Sequence, residues 1–184
     1  VGWHVVDALA GRGYHVAVHY RTSAKEAAET VEHLRSRRGV EATAVQADLA
    51  AEQAGHSPFQ AAHSRFGRLD VLVNCAAVYK AQRLEEITAA DVRHNFEANL
   101  LGTFLCAQQA IRQFLDAGTG GAIVNVSSVH QVIPKPRFVG YSVSKGGMQN
   151  LTHTLALEYA ARGIRVTGLG PAAPVTPTNR SWIP

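Results

Sequence analysis

The sequence predicts an α/β fold: a doubly wound parallel sheet with helices on both faces. Two observations carry this. Helical apolar stripes alternate along the chain with short runs of nearly unbroken apolar residues, such as Val71-Leu-Val and Ala122-Ile-Val, and runs of that kind suit parallel strands buried on both faces. The 184 residues are 46% hydrophobic and 17% charged, an ordinary composition for one globular unit with a real core.

The elements follow in order. A helix is expected around Trp3 to Leu9, a strand over Tyr14 to Tyr20, a helix over Ala24 to Arg37 and a strand over Ala42 to Ala47. The basic run Arg35-Ser-Arg-Arg38 falls near the end of the second helix, where cations complement the helix dipole, and reads as a solvated face. Ala51 to Pro58 is a short polar connection. A helix before Phe66, a strand over Leu69 to Asn74 and helices through Asp91 to Leu115 come next. A strand over Ala122 to Ser127, a helix over Tyr141 to Ala161 and a strand over Ile164 to Leu169 complete the series. With no internal repeat or low-complexity segment, residues 1–184 read as a single, incomplete domain.

Incompleteness is expected because the first element is a helix. In a doubly wound sheet of order 3-2-1-4-5-6 the strand preceding that helix lies in the middle, and without it buried strand edges lose their backbone partners. Val1-Gly2 therefore reads as the tail of a strand and glycine loop, and the C-terminal end as stopping early.

Several classes are disfavoured. No apolar run approaches the roughly 20 residues of a membrane helix, and nothing resembles a basic-then-apolar leader, so a cytoplasmic protein is expected. The net charge of +4 is modest and aromatic residues are 7%, which argues against a nucleic-acid surface. The nine histidines form no ligand spacing, so no metal is expected. Cys75 and Cys106 read as buried free thiols.

The chemistry is carried by Gly140-Tyr-Ser-Val-Ser-Lys-Gly-Gly147. Tyr141 and Lys145, four residues apart, share one helical face. A free tyrosine has a pKa of about 10, and a cation held close lowers it, which equips the pair to exchange a proton near neutrality. Ser128 ends the apolar run that begins at Gly121, placing a hydroxyl at the carboxyl end of a strand, where sites in open parallel sheets lie. Leu69-Asp-Val-Leu-Val-Asn-Cys-Ala-Ala77 is a strand running into small residues, and Asn99 sits within a helical stretch.

Asp48, the segment at Asn74, Asn99, Ser128, Tyr141 and Lys145, in that order, resemble the short-chain dehydrogenase/reductase family. The stretch Asn125 to Pro134, with Leu155-Ala-Leu-Glu-Tyr-Ala160, looks most like the family's bacterial glucose 1-dehydrogenases. The resemblance implies a Rossmann-like fold and an oxidoreductase that transfers hydride between NADP or NAD and a secondary alcohol or carbonyl, with glucose or another sugar as a candidate substrate. The same scaffold also hosts 3-oxoacyl-thioester reductases, and a non-catalytic, cofactor-sensing or interaction module is the rival from another class.

The resemblance also assigns roles. Tyr141 is the proton-exchanging residue; Ser128 holds the reacting oxygen; Lys145 lowers the Tyr141 pKa and holds the nicotinamide ribose; Asn99 positions a water. Gly2 would be the last glycine of the phosphate loop, Asp48 and Leu49 would contact adenine, and Asn74, Ala76 and Ala77 would line the adenosine pocket. Asp48 reads equally well as a helix N-cap. Arg21, after a strand with no acidic residue at its end, suits a 2′-phosphate and slightly favours NADP. In Pro171-Ala-Ala-Pro-Val-Thr176, Pro171 and Thr176 would face the nicotinamide. Pro174 removes a backbone donor there, and Ala172 would be strained at positive φ. Cys75 and Ala77 are further departures from the family pattern. His130 is a candidate substrate contact beside Ser128, and Val132 to Phe138, with Pro134 and Pro136, a stiff pocket wall. Homodimer or homotetramer assembly is implied through helices carrying Asn99 to Phe114 and Tyr141 to Ala161.

Overall fold

The computed structural model describes residues 1–51 and 57–172. Helices and strands alternate as expected: α1 (Gly2–Ala10), β1 (Val16–Tyr20), α2 (Ala24–Arg38), β2 (Ala42–Gln46), α3 (Ser57–Phe66) and β3 (Val71–Asn74). There follow α4 (Ala89–Phe96), α5 (Gly102–Ala117), β4 (Gly121–Val126), α6 (Val139–Tyr159) and β5 (Ile164–Leu169).

All strand pairings are parallel, but they form two sheets. β1 pairs with β2, from Val16 opposite Ala42 to Tyr20 opposite Gln46. β4 pairs with β3 on one side and β5 on the other. Residues of β1, β3, α1 and α3 line a cavity of about 1020 Å³, placed where the doubly wound order puts its central strand. Among the described residues, the edges of β1 and β3 bordering it carry no strand.

Each sheet has its own core. Val16, Val31, Leu34, Val40 and Ala42 join Ala10 beneath β1 and β2. Phe59, Cys106, Ala107, Ala110, Ile111, Phe114, Ile123, Ile164 and Val166 form the other. The buried stripe of α5, Thr103, Cys106, Ala107, Ala110, Ile111 and Phe114, has helical spacing and packs on β3 and β4. Gly121 is required there, because a Cβ at this position would run into the Phe114 ring. Gly102 is required at the start of α5, where a Cβ would stand 2.7 Å from the Leu49 carbonyl oxygen.

The basic run at the end of α2 is more than a solvated face. Arg35 donates twice to the Ala42 carbonyl, at 3.1 and 2.7 Å. Arg38 grips Asp7 of α1 with two bonds of 2.8 and 2.6 Å, and His33 adds a third at 3.1 Å. The Arg38 bonds hold the Asp7 carboxyl down to about 2. Both cysteines are free, although Cys75 is only partly buried, and burial raises the Cys106 thiol to about 11. No helix among the described residues is long and apolar enough to cross a membrane, and among them no cluster of His, Cys, Asp and Glu could hold a metal.

Candidate active site

The carboxyl ends of β3 and β4 and the first turns of α6 bring Asn99, Ser128, Tyr141 and Lys145 into one region. A buried chain of hydrogen bonds fixes the frame. Asn74 at the end of β3 donates to Asn125 of β4 at 2.9 Å; Asn125 donates to Thr152 of α6 at 2.9 Å; Thr152 donates to the Met148 carbonyl at 2.7 Å. The Asn74 side chain is thus a tie between strands.

Asn99 is completely buried, in a single π-helical turn over Glu97–Leu101 between α4 and α5. Such turns recur at functional sites. Its Oδ1 accepts from the Val78 amide at 2.8 Å, while its Nδ2 donates to the Val78 carbonyl at 2.9 Å and to the Ser144 hydroxyl at 3.0 Å. Ser144 in turn donates to the Tyr141 carbonyl at 2.7 Å. The side chain therefore braces both the loop after β3 and the first turn of α6, with both Nδ2 hydrogens and one Oδ1 lone pair engaged.

Ser128 lies at the end of β4, 6% exposed. Its hydroxyl caps the following 3₁₀ turn by accepting from the His130 amide at 3.2 Å. It also faces Tyr141: burial raises the Tyr141 pKa above its ordinary value, hydrogen bonding to Ser128 lowers it, and the nearby Tyr79 raises it. The hydroxyl that caps the turn is the one that meets Tyr141.

Lys145 differs from expectation. Only 1% exposed, its ammonium donates to the Val126 carbonyl at 3.0 Å and touches the Met148 sulfur at 3.7 Å. It stands 5.8 Å from the Tyr141 ring centroid. The Tyr141 pKa is raised rather than lowered as expected, because burial of the phenol outweighs the other influences on it. Desolvation also brings the Lys145 pKa down to about 8.

The remaining expected residues ring the same end of the sheets. Gly2 opens α1, whose amino end carries no side-chain cap. Arg21 is exposed just past β1, and Gln46 donates to its carbonyl at 3.0 Å. Asp48 closes a turn by accepting from the Ala50 amide at 3.0 Å and is not a helix N-cap. Leu49 packs against the second core, beside Gly102. Ala76 and Ala77 are exposed beyond β3. Pro171 ties down the loop after β5 by accepting from the Val129 amide at 3.1 Å. Ala172 carries no positive φ; among the described residues only Arg137, at 69°, does so without being glycine. Pro174 and Thr176 lie outside the described residues. Two rings stand 6.0 and 6.5 Å from the Tyr141 ring: Tyr79, which residue patterns did not single out, and Phe138, the end of the expected pocket wall.

These residues suit a dinucleotide. The uncapped amino end of α1 has backbone N–H groups to offer a phosphate, and the exposed Arg21 offers a second anion contact.

Parallel strands with helices on both faces, and a site at the carboxyl ends of those strands, are the architecture of a Rossmann fold. The chain belongs to the short chain dehydrogenase family, whose model matches residues 1–184. It is 41% identical over 167 residues to 3beta-hydroxysteroid dehydrogenase 1 of Eggerthella lenta, covering 91% of this chain and 64% of that protein. It is 34% identical over 180 residues to glucose 1-dehydrogenase 2 of Bacillus subtilis, covering 97% and 69%. A glucose 1-dehydrogenase of Gluconobacter oxydans is 48% identical over 117 residues, 64% of this chain and 44% of that protein. The chain thus spans about two thirds or less of these relatives' lengths. The crystal structure of acetoin dehydrogenase from Enterobacter cloacae superposes with a TM-score of 0.88 at 33% identity, over 96% of this chain and 70% of that one.

Proposed function

We propose that this protein interconverts a secondary alcohol and its carbonyl compound, with Tyr141 as the proton-exchanging residue. The observation that carries the reading is the convergence of Ser128 and Tyr141 hydroxyls at the end of β4, braced through Ser144 by Asn99. When bound, NADP or NAD supplies the hydride acceptor or donor. In oxidation Tyr141, as phenolate, takes the hydroxyl proton of the substrate while the carbinol C–H pair departs as hydride; in reduction Tyr141 returns the proton to the carbonyl oxygen. Ser128 donates to that oxygen where charge develops. Lys145 holds cofactor hydroxyls once its ammonium leaves Val126, and its positive charge then favours the phenolate.

Arg21 supports a preference for NADP. Names of the relatives offer a sugar and a steroid as substrates, and glucose remains a candidate. Exposed Leu101 and Phe104 near the start of α5, with Val143 and Leu157 on α6, support a homodimer or homotetramer.

The test is reduction of NADP and NAD with a panel of secondary alcohols and glucose, using wild type and Tyr141→Phe. Turnover in wild type, cut by roughly 10²-fold or more in the variant while cofactor binding persists, is the expected result. Equal turnover in both removes Tyr141 from the mechanism.

A further inference from the structure

The residues around the Tyr141 phenol fall into a buried group and a half-exposed one. Ser128, Lys145 and Asn99 are 6%, 1% and 0% exposed, and their polar atoms are taken up inside the protein. The Ser128 hydroxyl accepts from the His130 amide at 3.2 Å, the Lys145 ammonium donates to the Val126 carbonyl at 3.0 Å, and both amide hydrogens of Asn99 go to Val78 and Ser144. None of the three gives a proton on Tyr141 a side chain that stands in solvent.

Tyr79, in the loop after β3, does. It is 45% exposed, and its ring lies 6.0 Å from the Tyr141 ring at an inclination of 68°. Its neighbours in the chain are anchored: Asn99 clasps Val78, and the Lys80 ammonium meets Asp91 at 3.5 Å. The Phe138 ring backs it at 6.2 Å with planes inclined by 30°, and the Gln82 amide ties the two loops by donating to the Arg137 carbonyl at 2.9 Å. The phenols also sense each other, since a charge on Tyr79 is one of the causes that raise the Tyr141 pKa. Two further ionisable groups stand nearby but are turned to other partners: the Lys135 ammonium lies 4.3 Å over the Phe138 ring, and His130 Nδ1 bonds the Ile133 carbonyl at 3.1 Å.

We infer that Tyr79 is a proton-relay residue acting through Tyr141, whose proton exchanges with solvent by way of the Tyr79 hydroxyl. The relay rests on the alcohol–carbonyl reading for its place in turnover and on the two adjacent phenols for its route. A substrate oxygen seated on the Ser128 and Tyr141 hydroxyls shields that side of Tyr141 from water, so the proton gained in oxidation needs another exit. A phenol hydroxyl supplies one because it accepts and donates at the same atom. The Tyr141 O–H bond breaks as its proton passes to the Tyr79 oxygen; the Tyr79 O–H bond breaks as its own proton passes to a solvent water. Tyr79 ends neutral, Tyr141 ends as the phenolate that accepts the next proton, and one hydronium is released per alcohol oxidised. Reduction runs the same transfers inward.

The experiment uses the protein as its gene encodes it, wild type and with Tyr79→Phe or Tyr79→His, each checked for native circular dichroism. With tyrosine Cζ isotopically labelled, NMR reads the exchange of the Tyr141 hydroxyl proton from the deuterium isotope shift in mixed light and heavy water, and Tyr141→Phe assigns the signal. Turnover of secondary butanol, secondary octanol and glucose with NADP is read by nicotinamide absorbance at low and high imidazole concentration. Tyr79→Phe, which keeps the ring and loses the hydroxyl, should slow both hydroxyl exchange and kcat by about tenfold or more. Added imidazole should restore both in this variant and change neither in wild type, and Tyr79→His, which carries protons itself, should need no imidazole. Wild-type exchange and kcat in Tyr79→Phe, or a loss that imidazole does not restore, overturns the relay and leaves a packing role for the ring. Slowed, imidazole-restored exchange with no turnover by any of the proteins upholds the relay and sinks the oxidoreductase reading. Turnover with exchange untouched by Tyr79→Phe does the reverse.

Discussion

Asn99 holds both backbone groups of Val78, accepting from its amide at 2.8 Å and donating to its carbonyl at 2.9 Å. One side chain thereby sets the conformation of the loop that ends β3. Asn99→Ala leaves both Val78 groups without these bonds and opens a gap in a fully buried position, so a loss of about 2–4 kcal/mol is expected in urea unfolding. Asn99→Asp, which keeps the acceptor and loses the donor, should also destabilise the fold. A wild-type midpoint for the alanine variant refutes the bracing role.

Lys145 predicts a pH dependence. Its pKa is lowered to about 8 in the folded state from an ordinary 10.5, so between these values the unfolded chain binds more protons and stability rises with pH. The penalty is fully present below about pH 8 and has gone by the unfolded value, and is on the order of 3 kcal/mol. Lys145→Met should flatten this rise between pH 8 and 10 and unfold later than wild type at neutral pH. Parallel stability–pH curves for the two proteins contradict it.

Arg21 predicts cofactor choice. Its position past the end of β1 suits a phosphate on the adenosine ribose. Arg21→Asp should lower the ratio of kcat/KM with NADP to that with NAD by about tenfold or more, through loss of a charge-assisted contact. An unchanged ratio assigns the choice to other residues.

Leu157, 84% exposed on α6, predicts an assembly surface. Analytical ultracentrifugation of wild type should find a dimer or tetramer, and Leu157→Arg should shift it toward smaller species by placing a charge in an apolar contact. A monomeric wild type removes this proposal.

The order of elements was legible because each strand is a short apolar run, and β5 falls over Ile164–Leu169 as periodicity places it. The first strand was read two residues too early. Tyr14 and His15 are instead taken up outside the ladder, where His15 Nδ1 accepts from the Glu41 amide at 3.1 Å. The proximity of the candidate residues was legible from spacing, since Tyr141 and Lys145 share α6 and Ser128 follows β4.

What spacing cannot reveal is commitment to distant partners. The π-helical turn at Asn99 accompanies a clasp on Val78, and the Lys145 ammonium turns to Val126 because that carbonyl is the acceptor within reach. Arg35 and Arg38 read as solvated because Ala42 and Asp7 become their neighbours only after folding. The rings of Tyr79, Phe138 and His130 gather near Tyr141 only after folding, although spacing already marks His130 and the stretch from Val132 to Phe138.

The cavity between β1 and β3 has a consequence for any strand that enters it. Seated between Val18 and Val73, such a strand would pair with both of the strand edges that border the cavity among the described residues, adding two ladders at once. It would thereby join the core around Leu34 to the core around Phe114, so that the two sheets should unfold in one cooperative transition.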